Sequence, residues 1–366
     1  MPGMEDLLAR MRLLTTTSAA LFWLSLAASA DAEMVIGVAA PLSGPSAILG
    51  KQIEAGAGMA AEANGIAIKV VDDACTADGG AAAAKEFVDA KVNVVVGFLC
   101  TEAIEAALPT LKDANIAVIT VGVRTESLTD RRAKTGWPVY RLGPRGDDER
   151  NAVAAKLTQL WRDDLFAIVD DGTIYGREMA ETFRAAAEQA ALKPVFVDTF
   201  RPQLDNQIGL VGRLKKAGAT KVFAGGDGDD IAIMGRDAAQ LDVGITFAGG
   251  ENLRTPPGDV PYPVGTLMIA TPEWSEVADP KVVQAFAAKN IAPDGYTLPA
   301  YAAVEVAKAA LAGAESSGQP LAEALTGHDF ATAIGTVRFD DKGDLSQNPF
   351  RVFRFDGTHF VPLEDK

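Results

Sequence analysis

Residues 34–50 read MVIGVAAPLSGPSAILG, and three further stretches repeat their design: KVVDDAC (69–75), NVVVGFLCTEA (93–103) and IAVITVGVRTESLT (116–129). Three apolar runs, residues 35–39, 92–97 and 116–121, each give way to Gly, Pro, Ser or Thr and then to a helix-like stretch. Strands buried on both faces of a parallel sheet read as continuous apolar runs, whereas half-exposed strands alternate. The pattern therefore predicts strand–loop–helix units of an α/β sheet. In such sheets ligands lie outside the carboxyl ends of the strands, against helix N-termini. The polar, glycine-rich loops after each run are where a site is expected.

The same rhythm resumes at Val139. Strands are expected over 165–169, 194–200, 221–224 and 246–248, with helices after Gly176 through Ala191, over 207–217 and up to Leu241. The strand ends carry DDGTIYG (170–176), GGDGDD (225–230) and GGEN (249–252). A Pro-rich loop, RTPPGDVPYPVG, follows, and then helices over 279–289 and 296–317. A strand is expected over 337–340. The last two, 350–355 and 360–363, form a hairpin around Asp356-Gly357, a turn pair suited to two-residue loops. Two successive series imply two similar α/β lobes of doubly wound parallel sheet. Size agrees, because single cores stop growing beyond about 250–300 residues and the chain has 366.

Residues 1–32 read as an export signal. Arg10 and Arg12 precede the apolar run 18–27, which is too short to span a bilayer. Ala30-Asp31-Ala32 supplies a small-x-small cleavage pattern, so cleavage is expected after Ala32. Without this leader the 34 bases and 49 acids become 32 and 46, a net charge of -14, as Arg10, Arg12, Glu5, Asp6 and Asp31 leave. An acidic surface of that size argues against nucleic acid and anionic membranes as partners. Two cysteines occur, Cys75 and Cys100, flanking one strand and its preceding helix. Export into an oxidising compartment favours a disulfide. A metal or redox pair fits less well, because the spacing is not CxxC and His328 and His359 lie far away in sequence.

The loops offer polar groups, each with an ordinary alternative. Ser46 can cap the helix that follows it. Thr101 is either a helix N-cap or a carboxylate ligand. Arg124, just past a strand, suits bidentate capture of a carboxylate, or is a solvated surface arginine. Asp227, Asp229, Asp230 and Glu251 all follow strand ends and suit a ligand ammonium. Asp229 and Asp230 equally suit a helix N-terminal dipole. Tyr175 is a wall for a ligand or a core residue. No catalytic constellation is present: GxGxxG, GxxxxGK[ST], GxSxG and HExxH are all missing. GGDGD (225–229) has a phosphate loop's glycines, but its acids would repel phosphate, and it lacks EF-hand spacing. Neither a metal nor a cofactor is expected, and the chain does not read as an enzyme.

Taken together with VYRLGPRGDDE (139–149) and TVRFDDKGD (336–344), these pieces carry a family likeness. In their order, over nearly all of residues 34–364, the chain resembles the leucine/isoleucine/valine-binding family, periplasmic substrate-binding proteins of amino-acid ABC transporters. The resemblance implies a type I periplasmic binding protein fold, two lobes on a three-segment hinge that close on a ligand. Lobe one would take residues 33–141 and 273–347, and lobe two 142–272 and 348–366, with crossovers near 140–144, 271–274 and 346–350. It implies a Cys75–Cys100 disulfide, ligand contacts from the Thr101 hydroxyl and from the backbone of Gly122 and Arg124, cover from Tyr175, and Glu251 on a ligand ammonium.

Three departures set this chain apart from the family pattern. Leu49 stands where an aromatic precedes the first-loop glycine, Arg124 replaces a common threonine, and Asp227 and Gly228 occupy an aromatic's place. Charges of opposite sign thus enter a pocket that elsewhere closes on an aliphatic side chain. The expectation is a monomeric periplasmic receptor of an ABC importer, delivering to an inner-membrane permease. It would bind a small polar or zwitterionic ligand, an amino acid, with Asp227 and Glu251 at its ammonium or polar end. The alternatives are a sensory binding protein that signals through a membrane receptor, and a receptor for a non-amino-acid carboxylate or amide.

Overall fold

β1 (Val35–Ala40) runs between β2 (Ala67–Asp72) and β3 (Val94–Gly97), parallel to both, and five of its six residues are sealed from water. β4 (Ala117–Thr120) and β5 (Val139–Arg141) extend the sheet in the order β2-β1-β3-β4-β5. The computed structural model describes residues 34–363, and the leader with its cleavage site lies outside the described residues. Helices Ala77–Asp89 and Thr101–Asp113 pack together beside this sheet. Helices Ala47–Asn64 and Thr297–Ser317 pack together and share a separate apolar core with it, so it is doubly wound.

A second sheet repeats the plan. β6 (Phe166–Asp170), β7 (Phe196–Thr199), β8 (Lys221–Gly225), β9 (Thr246–Gly249) and β10 (Leu267–Ala270) are parallel in the order β7-β6-β8-β9-β10. Counted from its own first strand, each sheet is thus wound 2-1-3-4-5. A small antiparallel pair, β11 (Asp329–Thr332) and β12 (Gly335–Arg338), stands apart. β13 (Arg351–Phe355) and β14 (Phe360–Pro362) then add to β10 antiparallel, so the second sheet ends mixed. Their hairpin turns at Asp356-Gly357: Gly357 takes φ +111°, and the Asp356 carboxylate accepts from the N–H groups of Thr358 and His359.

The chain passes between the sheets three times, after β5, after β10 and before β13. Residues 139–141, expected to begin the second series, instead close the first sheet beside β4; the second series starts at Phe166. β2 and β10 escaped the sequence reading for different reasons. β2 is a half-exposed edge carrying Lys69, which breaks the apolar run, and β10 is only four residues behind the Pro-rich loop. The Cys75–Cys100 disulfide joins the segments after β2 and β3, with Cα atoms 5.2 Å apart, and so clamps the two neighbours of β1 at their carboxyl ends. Among the described residues no helix is long and apolar enough to cross a membrane.

Candidate functional site

In a sheet wound 2-1-3-4-5 the crevice opens where the winding reverses, at the carboxyl ends of strands one and three. The segments after β3, β4, β6, β8 and β9 hold Thr101, Gly122, Arg124, Tyr175, Asp227 and Glu251. Two of those residues meet across the gap between the sheets: Arg124, past β4, donates from Nη1 to Glu251 Oε2, past β9, at 3.3 Å. Glu251 is the first residue of a single 3₁₀ turn, Glu251–Arg254, and its Oε1 also accepts from the Thr271 hydroxyl at 3.1 Å. Both carboxylate oxygens are therefore engaged.

The Arg124 loop is held rigidly from below. Arg141, wholly buried at the end of β5, donates to the carbonyls of Val123 and Thr125, each at 2.9 Å. Gly146, in the first passage between the sheets, donates its N–H to the Arg124 carbonyl at 2.8 Å. Arg124 thus projects from a backbone fixed on three sides, while its own side chain stays nearly half exposed.

Thr101 begins the helix Thr101–Asp113 but does not cap it. Cys100 holds the cap position, and the Thr101 hydroxyl lies 2.6 Å from that of Thr125, beside Arg124. Ser46 makes no side-chain cap bond either. Gly122 faces Leu99 and Tyr296, and a Cβ there would lie 2.5 Å from Leu99 Cδ1.

Tyr175 sits in the first turn of the helix Ile174–Gln189, whose Thr173 cap accepts from the Gly176 N–H. Its phenol donates to Glu149 Oε1 at 2.6 Å, and the same oxygen accepts the Glu251 N–H at 2.6 Å. Burial and the Glu149 charge push the Tyr175 phenol well above its usual range, so it is a donor at any physiological pH. Glu149 was missed by sequence reasoning. It lies in the first turn of the helix Asp148–Leu160, inside VYRLGPRGDDE, where it reads as a routine acid at a helix N-terminus. Burial, with a smaller contribution from the Glu251 charge, raises its pKa against the hydrogen bonds it accepts.

The remaining acids stand further off. Asp227 is exposed and lies 3.5 Å from Asn252 Nδ2, its nearest link to the site. Asp230 is buried and accepts the Gln203 N–H, and Asp229 accepts the Gly258 N–H, so both are occupied in holding loops. Thr101, Gly122, Arg124, Tyr175 and Glu251 come together; Asp227 stands at the margin.

Toward the crossovers the gap widens into a cavity of about 250 Å³ whose lining includes Arg124, Arg254, Thr271, Trp274, Tyr296 and Pro299. Arg254 is matched there by Glu273. A larger hollow of about 600 Å³ lies behind the crossovers, around Lys156, Asn348 and Arg351, and none of the strand-end loops above reaches it. The smaller cavity is the one joined to the ion pair. Among the described residues no group of three or more His, Cys, Asp or Glu is placed to hold a metal ion.

Two like-wound sheets facing each other across polar strand-end loops, tied by three passages, are matched over residues 33–359 by the family model described as periplasmic binding protein. The chain belongs to the periplasmic binding protein family. Its curated relatives include Leu/Ile/Val-binding protein homolog 3 of Brucella melitensis, 31% identical over 92% of this chain and 95% of the relative. A leucine-, isoleucine-, valine-, threonine- and alanine-binding protein of Pseudomonas aeruginosa is 30% identical over 87% and 89%. Among solved structures, an ABC-type branched-chain amino acid transporter from Rhodopseudomonas palustris superposes with TM-score 0.69 at 18% identity, over 90% of this chain and 96% of that one. A solute binding protein of an ABC transporter from the same species, in complex with 3,4-dihydroxybenzoic acid, superposes with TM-score 0.58 at 18% identity, over 90% and 96%. The family is one of substrate-binding proteins of the periplasm, not of enzymes. This binding protein joins Cys75 to Cys100 and places an arginine–glutamate pair between its sheets.

Proposed function

We propose that this chain is the periplasmic receptor of an ABC importer and that it binds a zwitterionic amino acid between its two lobes. The observation that carries this reading is the Arg124–Glu251 pair, one group from each sheet. A zwitterion exchanges with such a pair charge for charge. Its carboxylate takes Arg124 together with the Thr101 hydroxyl and the Gly122 backbone, and its ammonium takes Glu251. Tyr175 covers it, and Asp227 approaches a polar end. A ligand contacting both lobes stabilises the closed form over the open one, which is all that a flytrap needs. The lobes divide as 33–141 with 273–347 and 142–272 with 348–366. The exported chain, cleaved after Ala32, works as a monomer that hands its ligand to an inner-membrane permease.

A second reading, an aromatic carboxylate, is supported by the Trp274, Tyr296 and Pro299 lining of the adjoining cavity and by the dihydroxybenzoate-bound relative. Thermal shift of the exported chain against L-amino acids, amides and hydroxybenzoates separates the two, because a ligand of the native state raises Tm by mass action. Stabilisation by amino acids that is lost in Arg124→Ala and Glu251→Ala supports the first reading. Stabilisation by hydroxybenzoates alone overturns it in favour of the second.

A further inference from the structure

Glu149 changes the charge count of the site. Arg124 faces Glu251 directly, and Glu149 stands behind Glu251, its Oε1 accepting the Glu251 N–H and the Tyr175 phenol at 2.6 Å each. Oε2 has no hydrogen-bond partner among the described residues. The groups facing this carboxylate are Tyr175, Glu251 and Arg124. Arg254, the other guanidinium of the adjoining cavity, is matched by Glu273, and Arg150, next in sequence, by Glu126 and Glu178. One arginine therefore serves two carboxylates. With both ionised the cluster carries one net negative charge, and a ligand bearing only a carboxylate would engage Arg124 while leaving both acids uncompensated.

Resting on the zwitterion reading above, we propose that Glu149 is a second acid of the ligand site: it selects ligands carrying an ammonium group and gives up a proton when one binds. In the free protein burial first, and the Glu251 charge after it, raise the pKa of Glu149, while the bonds from Tyr175 and the Glu251 N–H, and then Arg124, act against them. A cation arriving beside the two acids adds an opposing charge that favours the ionised form of Glu149. The carboxyl proton goes to buffer and the charge left behind pairs with the ammonium. Linkage then requires that affinity for an amine-bearing ligand rises with pH through the titration of Glu149 in the free protein, since the bound state holds fewer protons.

The test is calorimetric titration of the exported chain with L-leucine, L-phenylalanine, L-glutamine and 4-hydroxybenzoate. Each is run near pH 6 in phosphate and in an amine buffer, whose ionisation enthalpies differ. For an amine-bearing probe, wild type should show a buffer-dependent heat signalling proton release. Glu149→Gln keeps a carbonyl oxygen for the Tyr175 and Glu251 donors; it should bind that probe at least tenfold more weakly and show no buffer dependence. Binding of an amine-bearing probe by wild type with the same heat in both buffers overturns the proposal without any variant, and so does Glu149→Gln binding within twofold of wild type. Both results leave the amino-acid reading standing. Binding of 4-hydroxybenzoate alone by wild type sinks that reading itself, and Glu149's selective role with it.

Discussion

Arg141 and Asp344, 203 residues apart, are joined by a 2.8 Å bond from Nε to Oδ1, with the guanidinium fully buried and the carboxylate nearly so. Arg141 ends β5 at the first passage between the sheets, and Asp344 precedes the third. Asp344 Oδ2 accepts in addition from Thr129 Oγ1 and from Arg145 Nη1, each at 2.8 Å. The remaining Arg141 donors reach Thr129 and the carbonyls on either side of Arg124. Two of the three passages are thus wired to the loop that carries the site's arginine. Burial lowers the Arg141 pKa and the Asp344 charge restores part of it, which is the signature of a desolvated pair held by its partner.

Removing one partner of a buried pair commonly costs about 3–5 kcal/mol, because the other charge is left uncompensated. Arg145 still reaches Asp344 here, which puts Arg141→Met at the low end, about 3 kcal/mol. Urea unfolding at pH 7 measures it. The double variant Arg141→Met with Asp344→Leu should recover part of the loss, since neither charge of the pair is then left without the other and Arg145 keeps Asp130 and Asp147. Additive costs in the double-mutant cycle would mean that the two groups are not coupled.

The Cys75–Cys100 bridge closes a loop of 25 residues. The chain-entropy model assigns such a loop about 3.5 kcal/mol of stabilisation, mostly by restricting the unfolded chain. Cys75→Ala with Cys100→Ala should lower the unfolding free energy by about that amount and steepen the urea dependence, as the unlinked chain exposes more surface. A loss below about 1 kcal/mol would show that native contacts, rather than chain restriction, set the stability here.

How far the site was legible in the sequence follows from what each residue depends on. β1, β3 and β4 announce themselves because central parallel strands are apolar throughout, and the polar loops after them mark the crevice by topology alone. Arg124 and Glu251 could be nominated from their places at strand ends. Their partnership could not, because it joins residues 127 positions apart through two sheets whose mutual placement is a tertiary property. Glu149 was hidden for a related reason: an acid in the first turn of a helix is ordinary, and only the neighbouring Tyr175 and Glu251 make it unusual. Thr101 failed as a cap because Cys100, tied into the disulfide, already occupies that position.

Asp73 gives a pH dependence whose sign is fixed. Its side chain is wholly buried, Oδ1 accepts the Cys75 N–H at 2.9 Å, and Oδ2 has no partner among the described residues. Burial first, and the nearby Asp72 charge next, raise its pKa above the ordinary 3.8. The folded protein therefore holds this proton more tightly than the unfolded chain does. The stability Asp73 contributes is complete below its unfolded pKa and is lost as pH rises through the folded one. Within that window the loss reaches about 1.4 kcal/mol per pH unit. The difference in unfolding free energy between wild type and Asp73→Asn, measured in urea from pH 4 to 8, should fall with pH and then level off. A flat difference would mean that Asp73 ionises alike in both states.

Gly250 tests the inner face of the site without replacing a charged group. Its φ of -87° and ψ of -162° suit any residue, so alanine there meets no backbone penalty. The added Cβ would instead lie 2.3 Å from Glu149 Oε1 and 2.4 Å from the Tyr175 hydroxyl. Glu149 must move, and the bonds from Tyr175 and from the Glu251 N–H cannot both survive. Breaking buried bonds to a carboxylate costs about 1–3 kcal/mol. Gly250→Ala should therefore weaken amino-acid binding roughly five- to 150-fold, at 1.4 kcal/mol per factor of ten. Gly258→Ala is the control, since its Cβ would meet nothing nearer than Asp229 Oδ1 at 3.7 Å, and it should change binding by no more than about 0.5 kcal/mol. Calorimetric titration of both variants decides the matter. If Gly250→Ala binds as wild type does, the Tyr175–Glu149–Glu251 chain can be broken at no cost to the ligand, and closure rests on Arg124 and Glu251 alone.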